Sequence, residues 1–340
     1  MTLVSEISEF ELISRLEKVL KSSGTVTDAQ IKLGIGDDAA VLTPQSKNQV
    51  ISSDALVENV HFIYDQISMY NLGWKALASN YSDIAAMGCE PLAVSITLGV
   101  KKNQKIEDLE NIYEGFGAIT SKYGGSIIGG DIVKSKEFFI SISVIGQNNQ
   151  TSTLMRSNAV PGDLIIVSGE IGSSAAGLKL ISDFDISLYE NESEKSSKFL
   201  PFLTSHFKPE PQIELGGKIL DCGITTCTDV SDGLLRDLSN ICDSSKVSAI
   251  VNVDKIPTDT NLKSIFPNEW IQLCLSGGED YQLLFTGNHN NIKQLQENAT
   301  SQITIIGEIT KISDTQISLV DNSNNKIKFD HKGWDHFKES

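Results

Sequence analysis

Apolar residues in the first 150 positions switch repeatedly between a helical and an alternating spacing. The opening MTLVSEISEFELISRLEKVL reads as a helix, and QVISSD (Gln49 to Asp54) reads as an apolar strand running into a polar end. In YNLGWKALASNYSDIAAMG, Leu72, Ala76, Leu77, Ile84 and Ala85 recur at roughly helical spacing, with Gly88 as the stop. PLAVSITLGV alternates at Leu92, Val94, Ile96, Leu98 and Val100, which predicts a strand with one buried face. IEDLENIYEGFGAITSKYGG lines up Ile106, Leu109, Ile112, Tyr113, Phe116 and Ile119 and closes on Gly124 and Gly125, so it reads as an amphipathic helix. SIIGGDIV and EFFISISVIGQ follow as two strands around a turn.

Polar QNNQTST and the PGD turn (Pro161 to Asp163) then interrupt the pattern, which places a boundary between about 147 and 160. With 340 residues, two domains are expected, an N-terminal α+β domain over 1–150 and a C-terminal α/β domain over 151–340. In the second half LIIVSG leads into SSAAGLKLI, GITTCTDV leads through SDG into LLRDLSNIC, and SGGED leads into YQLLF. Residues 183–200, rich in Ser, Asp and Glu, read as a solvated insertion or a helix–helix connection.

Charge narrows the partners. Lys and Arg number 28 against 44 Asp and Glu, a formal charge of −16, and no basic cluster interrupts the excess, which argues against nucleic acid. No run of about 18 apolar residues suggests a membrane span, and no basic segment precedes an apolar run at the start. The five cysteines show no CxxC pair, so a reduced, cytoplasmic protein is expected.

Candidate chemistry lies in the carboxylates. GIGDDAAVL (Gly34 to Leu42) has the spacing of a dinucleotide-binding turn, but AAVLTP after it reads as a short strand closed by Pro44, so the required helix is missing. Asp37 and Asp38 in that loop, Asp54 at a strand end, Asp83 in a helix, Asp131 after Gly129 and Gly130, and Asp229 and Asp232 around a turn all stand where an unpaired charge is costly. Hard divalent ions, with more than one Mg²⁺ bridging to a polyphosphate, would relieve both that cost and the repulsion between Asp38 and the anion. Ser231 reads as the N-cap of a helix starting near Asp232, with free N–H groups turned toward a phosphate. Arg156 is a candidate phosphate fork, with Lys134 and Lys208 weaker. His61, Glu279 and Trp334 each admit a structural or a ligand-binding reading. GxxxxGK[ST] and the protein-kinase signatures are absent. The residues alone indicate a metal-dependent enzyme acting on phosphate or polyphosphate.

Taken in order, EFELI, GIGDDAAVL, SSDALVENVHF, NYSDIAAMG, IIGGD, RSNAVPGD, DVSDGL, SGGEDYQLLF and GWDHF resemble the thiamine-monophosphate kinase family of the aminoimidazole-ribonucleotide-synthetase-like superfamily. The resemblance implies an N-terminal domain that dimerises through its sheet, a C-terminal α/β domain and ATP bound in the cleft between them. It implies metal ligands at Asp38, Ser52, Ser53, Asp54, Asp83, Asp131, Asp229 and Asp232, and ATP contacts at Tyr113, Gly130, Asp131, Arg156 and Ser231. It places thiamine-phosphate contacts at His61, Glu279 and Trp334, and makes Asp54, Asp131 and Arg156 the residues on which catalysis rests. Val160 stands where the family commonly has Lys, and Lys208 and Gln212 where it often has Arg. The rival readings are another ATP-using enzyme of the superfamily and a non-catalytic module that binds divalent ions. Selenophosphate synthetases carry a reactive Cys or selenocysteine near the N-terminus, and here no Cys precedes Cys89.

Overall fold

A computed structural model describes residues 3–7, 9–24, 28–33, 35, 40–43, 45, 47–184, 194–298 and 301–329. They form two compact units, one of Met1–Ile84 with Cys89–Thr151, the other of Ala85–Gly88 with Ser152–Ser340.

In the first unit α1 (Glu9–Ser22) precedes β1 (Ile31–Leu33) and β2 (Val41–Leu42), which pair antiparallel. Then come β3 (Asn48–Val57), α2 (Met69–Ala86), β4 (Glu90–Val100), α3 (Ile106–Tyr123), β5 (Ser126–Lys134) and β6 (Phe139–Asn148). The last four strands form a sheet in the order β3-β6-β4-β5, with only β4 and β5 parallel. The turn between β5 and β6 therefore joins strands that are not neighbours. A parallel pair needs a long crossover, which α3 supplies, and β6 returns on the other side of β4. β4 is also more deeply set than alternation suggests: Leu92, Ala93 and Val94 are all buried, and the in–out pattern begins only at Ser95.

α2 is buried nearly all round: Leu72, Trp74, Leu77, Tyr81 and Ile84 are inside, and so are the polar Lys75, Ser79, Asn80 and Ser82. Gly73 and Gly115 bring α2 and α3 into backbone contact. A Cβ at Gly73 would lie 2.1 Å from the Ile112 carbonyl oxygen, and one at Gly115 would lie 2.2 Å from that of Tyr70. This contact fixes how α2 is rotated against the sheet.

The second unit contains β7 (Leu164–Ser168), α4 (Ser173–Phe184), α5 (Glu194–Phe207), α6 (Ile213–Asp221), β8 (Thr226–Asp229), α7 (Leu234–Ser245) and β9 (Ser248–Asn252). It continues through α8 (Leu262–Ile265), α9 (Trp270–Ser276), β10 (Leu283–Gly287), α10 (His289–Asn298), β11 (Ile303–Thr310), β12 (Ile317–Val320) and β13 (Lys326–Ile327). Its seven-stranded sheet runs β13-β12-β9-β11-β7-β10-β8, antiparallel except between β12 and β9. Ile165, Ile166, Val167, Leu283, Leu284 and Phe285 fill the centre of that core. Of the polar stretch 183–200, residues 194–200 belong to α5 and 185–193 lie outside the described residues.

Replacing Gly115 by Ala is expected to cost about 2 kcal/mol through overpacking against the Tyr70 carbonyl. Denaturant unfolding with an unchanged slope and a lower midpoint would register it.

Candidate functional site

Within the first unit, β3 and α2 meet at a polar patch. Ser52 Oγ donates to Asp83 Oδ2, and the Asp54 backbone N–H donates to Asn80 Oδ1 at 3.2 Å. Asn80 is oriented by its own Nδ2, which donates to the Ala76 carbonyl at 2.9 Å. Ser53 belongs elsewhere, because successive strand residues face opposite sides. Its hydroxyl donates to the Ile142 carbonyl at 3.0 Å and lies 3.1 Å from Ser143 Oγ.

Asp131 is not brought to Asp54. The register runs Asp54 to Ile142, Ile142 to Ile96 and Ile96 to Gly130, so two strands separate β3 from β5. At the usual strand spacing that is about 14 Å, too far for both carboxylates to reach one ion at about 2.1 Å. Asp131 Oδ1 instead accepts from the Ile132 N–H at 2.8 Å. Gly130 has φ +155° and a Cβ there would lie 1.7 Å from the Ile96 carbonyl oxygen, so no side chain fits. Among the described residues no group of three or more His, Cys, Asp and Glu side chains is placed to hold a metal. The donors present are all hard oxygens, Ser52 with Asp83 in this unit and Asp229 and Asp232 in the other. That suits Mg²⁺, which takes one or two protein carboxylates and fills its remaining positions with water and phosphate.

His61 sits in the turn after β3, where the Val57 N–H donates to its Nδ1 at 3.1 Å. The turn is anchored by buried Glu58, which takes a bond from Lys101 Nζ at 2.6 Å and one from the Phe138 N–H at 3.0 Å. Burial alone would raise the Glu58 pKa, but these two donors outweigh it and the carboxyl ends below its ordinary value. Tyr113, expected at the nucleotide, is only 8% exposed and packs edge-on against Phe116 with ring centres 5.3 Å apart. Burial drives its hydroxyl pKa upward.

In the second unit Asp229 ends β8 and is 2% exposed. The helix after it starts at Leu234, two residues later than expected, and its N-cap is Gly233 at φ +112° with no side-chain cap. Ser231 is therefore not the cap. Its N–H and that of Asp232 are not free either, for both donate to Asp237 Oδ2, at 3.0 and 3.1 Å. Asp237 had no role assigned from sequence; an acid between Leu234 and Leu238 on the buried face of α7 is the signal that marks it. Burial first, and then the charge of Asp232, push it up to about 7. Arg156 is pinned to β8 and α7: its Nε donates to Thr228 Oγ1 at 3.1 Å, and its carbonyl accepts from Ser245 Oγ at 2.8 Å.

The SGGED turn packs directly on this loop. Glu279 N–H donates to the Ser231 carbonyl at 2.8 Å, and Tyr281 N–H to that of Val230 at 2.9 Å. A Cβ at Gly278 would lie 2.4 Å from the Ser231 carbonyl oxygen. Asp280 points the other way and accepts from the N–H groups of Gly172 at 2.7 Å and Ser174 at 3.0 Å. Asp38 and Trp334 lie outside the described residues.

Residues 36–148 match the family described as AIR synthase related protein, N-terminal domain, and residues 160–319 match its C-terminal domain. The thiamine-monophosphate kinase of Bacillus subtilis is 32% identical over 338 residues, covering 98% of this chain and 100% of that protein. The chain belongs to the thiamine-monophosphate kinase family. Its two-domain fold is that of the family's solved structures. The crystal structure of thiamine-monophosphate kinase from Stenotrophomonas maltophilia superposes with a TM-score of 0.80 at 30% identity, covering 92% of this chain and 96% of that one. A structure described as AaThiL complexed with AMPPCP and TMP gives 0.74 at 29% identity, covering 99% of each chain.

Burial pushes Asp280 up to about 7, against the pull of the backbone N–H groups it accepts from. The folded value lies above the unfolded one, so its contribution to stability is complete below about pH 4 and is lost as pH rises through about 7. Asp280→Asn cannot ionise, and the stability gap between wild type and variant is expected to narrow from pH 5 to pH 8 in denaturant titrations.

Proposed function

We propose that this chain transfers the γ-phosphoryl group of ATP to the phosphate of thiamine monophosphate, releasing thiamine diphosphate and ADP. The observation carrying this reading is the end-to-end similarity to a family member solved with AMPPCP and TMP, across 99% of both chains. An acceptor phosphate is already an oxyanion. One of its oxygens forms the new bond to the γ-phosphorus as the bond to the β-bridging oxygen breaks, and ADP leaves with that electron pair. No strong general base is needed, so positioning and charge neutralisation carry the catalysis.

The residues supply both. Arg156, tethered by Thr228, offers its remaining guanidinium N–H groups to phosphate oxygens. Gly130, Asp131, Tyr113 and Ser231 are the further nucleotide contacts of this reading. His61, whose Nδ1 accepts from the Val57 N–H, would contact thiamine monophosphate through the other edge of its ring, and Glu279 and Trp334 would take the cationic end of thiamine. Ser52, Asp38, Asp54, Asp83, Asp131, Asp229 and Asp232 would hold Mg²⁺, which when bound offsets phosphate charge, whereas Ser53 faces the other side of β3.

Separation of Asp54 and Asp131 to opposite sheet edges supports a homodimer, in which a second copy sets its β5 edge beside β3. Ile51, 75% exposed on β3, suits burial by that copy. No described helix is long and apolar enough to cross a membrane, and a cytoplasmic location is the proposed one.

Purified protein with ATP, Mg²⁺ and thiamine monophosphate is expected to yield thiamine diphosphate by chromatography, with none formed from free thiamine or without metal. Product formed equally well without metal would refute the charge-neutralisation scheme. Asp54→Asn and Asp131→Asn should each lower turnover about a hundredfold or more with the thermal midpoint little changed. Light scattering should give twice the chain mass.

A further inference from the structure

Glu279 occupies a turn that its own backbone does not favour. Its φ is +64°, and that of Tyr281 is +49°, a region non-glycine residues enter only when their surroundings hold them there. The backbone bonds to Ser231 and Val230 hold the turn, and a run of polar contacts leaves from Asp280 and returns to Glu279. Asp280 accepts from Ser174 N–H at 3.0 Å, the Ser174 hydroxyl lies 3.1 Å from His206 Nδ1, and that same Nδ1 lies 3.5 Å from Glu279 Oε2. Ser174, His206 and Asp280 are buried, whereas the Glu279 side chain is 28% exposed and is the one member of the run that opens toward solvent.

The helices are built for this approach. A Cβ at Gly177 would lie 2.3 Å from the Phe202 carbonyl oxygen and 2.9 Å from His206 Cβ, so only glycine lets α5 come close enough to α4 for His206 to reach Ser174. The imidazole plane is steadied edge-on by Phe207, with ring centres 5.3 Å apart. With the proton on Nδ1, the ring donates to the Ser174 hydroxyl and sets a partly positive N–H edge 3.5 Å from the Glu279 carboxylate. A carboxylate so directed is ordered before any ligand arrives.

We infer that His206 is a positioning residue, holding the Glu279 carboxylate in the orientation in which it meets the cationic ring of the phosphate acceptor. The inference rests on the proposed contact between Glu279 and that acceptor. His206 touches neither substrate and acts only through Glu279, so its removal should weaken acceptor binding in ground and transition states alike.

Steady-state kinetics on full-length variants tests it, with the thermal midpoint of each recorded. His206→Leu is expected to raise KM for thiamine monophosphate about fivefold, the scale of one lost polar contact to a charged group, with kcat and KM for ATP within about twofold. His206→Asn places an N–H near the position of Nδ1 and should recover most of the loss. In a Glu279→Gln background, His206→Leu should add nothing. A purely structural histidine would instead lower the thermal midpoint, disturb both KM values and gain nothing from Asn, and that result would overturn the inference. Additive effects of the two substitutions would overturn it as well. If Glu279→Gln itself leaves KM for thiamine monophosphate unchanged, the acceptor contact of Glu279 has failed, and this inference falls with it; the single Glu279 variant thus separates the two failures.

Discussion

Backbone contact between the Val230–Gly233 and Gly278–Tyr281 loops governs the chemistry of the C-terminal unit. Two N–H groups of one loop donate to two carbonyls of the other, and Gly278 and Gly233 remove the side chains that would hold them apart. With this spacing fixed, Glu279 can project only from one place, Asp280 must turn inward to α4, and the Ser231–Asp232 backbone is left for Asp237 to clamp. Arg156 joins the same assembly through Thr228, the residue just before Asp229. The charged groups are therefore arranged by a frame of peptide bonds. Such a frame is preorganised, because its donors and acceptors are already fixed by one another.

A different device serves the N-terminal unit. There the polar groups are placed by rotation of a helix: contact at Gly73 and Gly115 sets the azimuth of α2, which turns Asn80 and Asp83 onto the edge strand β3. β3 is an edge strand whose one neighbour in the sheet is β6.

Much of this was legible in residue order. Periodicity located β4, α2 and α3 because their apolar faces are long, and the glycines at 88 and 124 marked real helix ends. The Rossmann reading of GIGDDAAVL was rejected for lack of a following helix, and the chain does continue there as the short strand β2. Strand adjacency was not legible. Nothing local says that β6 inserts between β3 and β4, and that insertion is what separates Asp54 from Asp131. The cap of α7 was misplaced for a related reason: Ser231 has the right chemistry, but Asp237, six residues on, competes for the same N–H groups from a buried position. Long-range partners such as Asp280 with Gly172, or His206 with Ser174, leave no trace in spacing at all.

Strand order in the second sheet has a consequence for how the chain is made. β7 and β8 are neighbours of β10, and β8 has no other partner in the sheet. As the polypeptide leaves the ribosome, both strands emerge with Arg156, Asp229 and Asp232 already synthesised, yet nothing bridges them until residues 283–287 follow. The Val230–Gly233 loop therefore takes its shape late, and a nascent chain paused before β10 presents the apolar β7 without either of its sheet neighbours. Pace of translation through residues 230–287, and any chaperone that shields β7 and β8 meanwhile, bear directly on the yield of correctly formed sites.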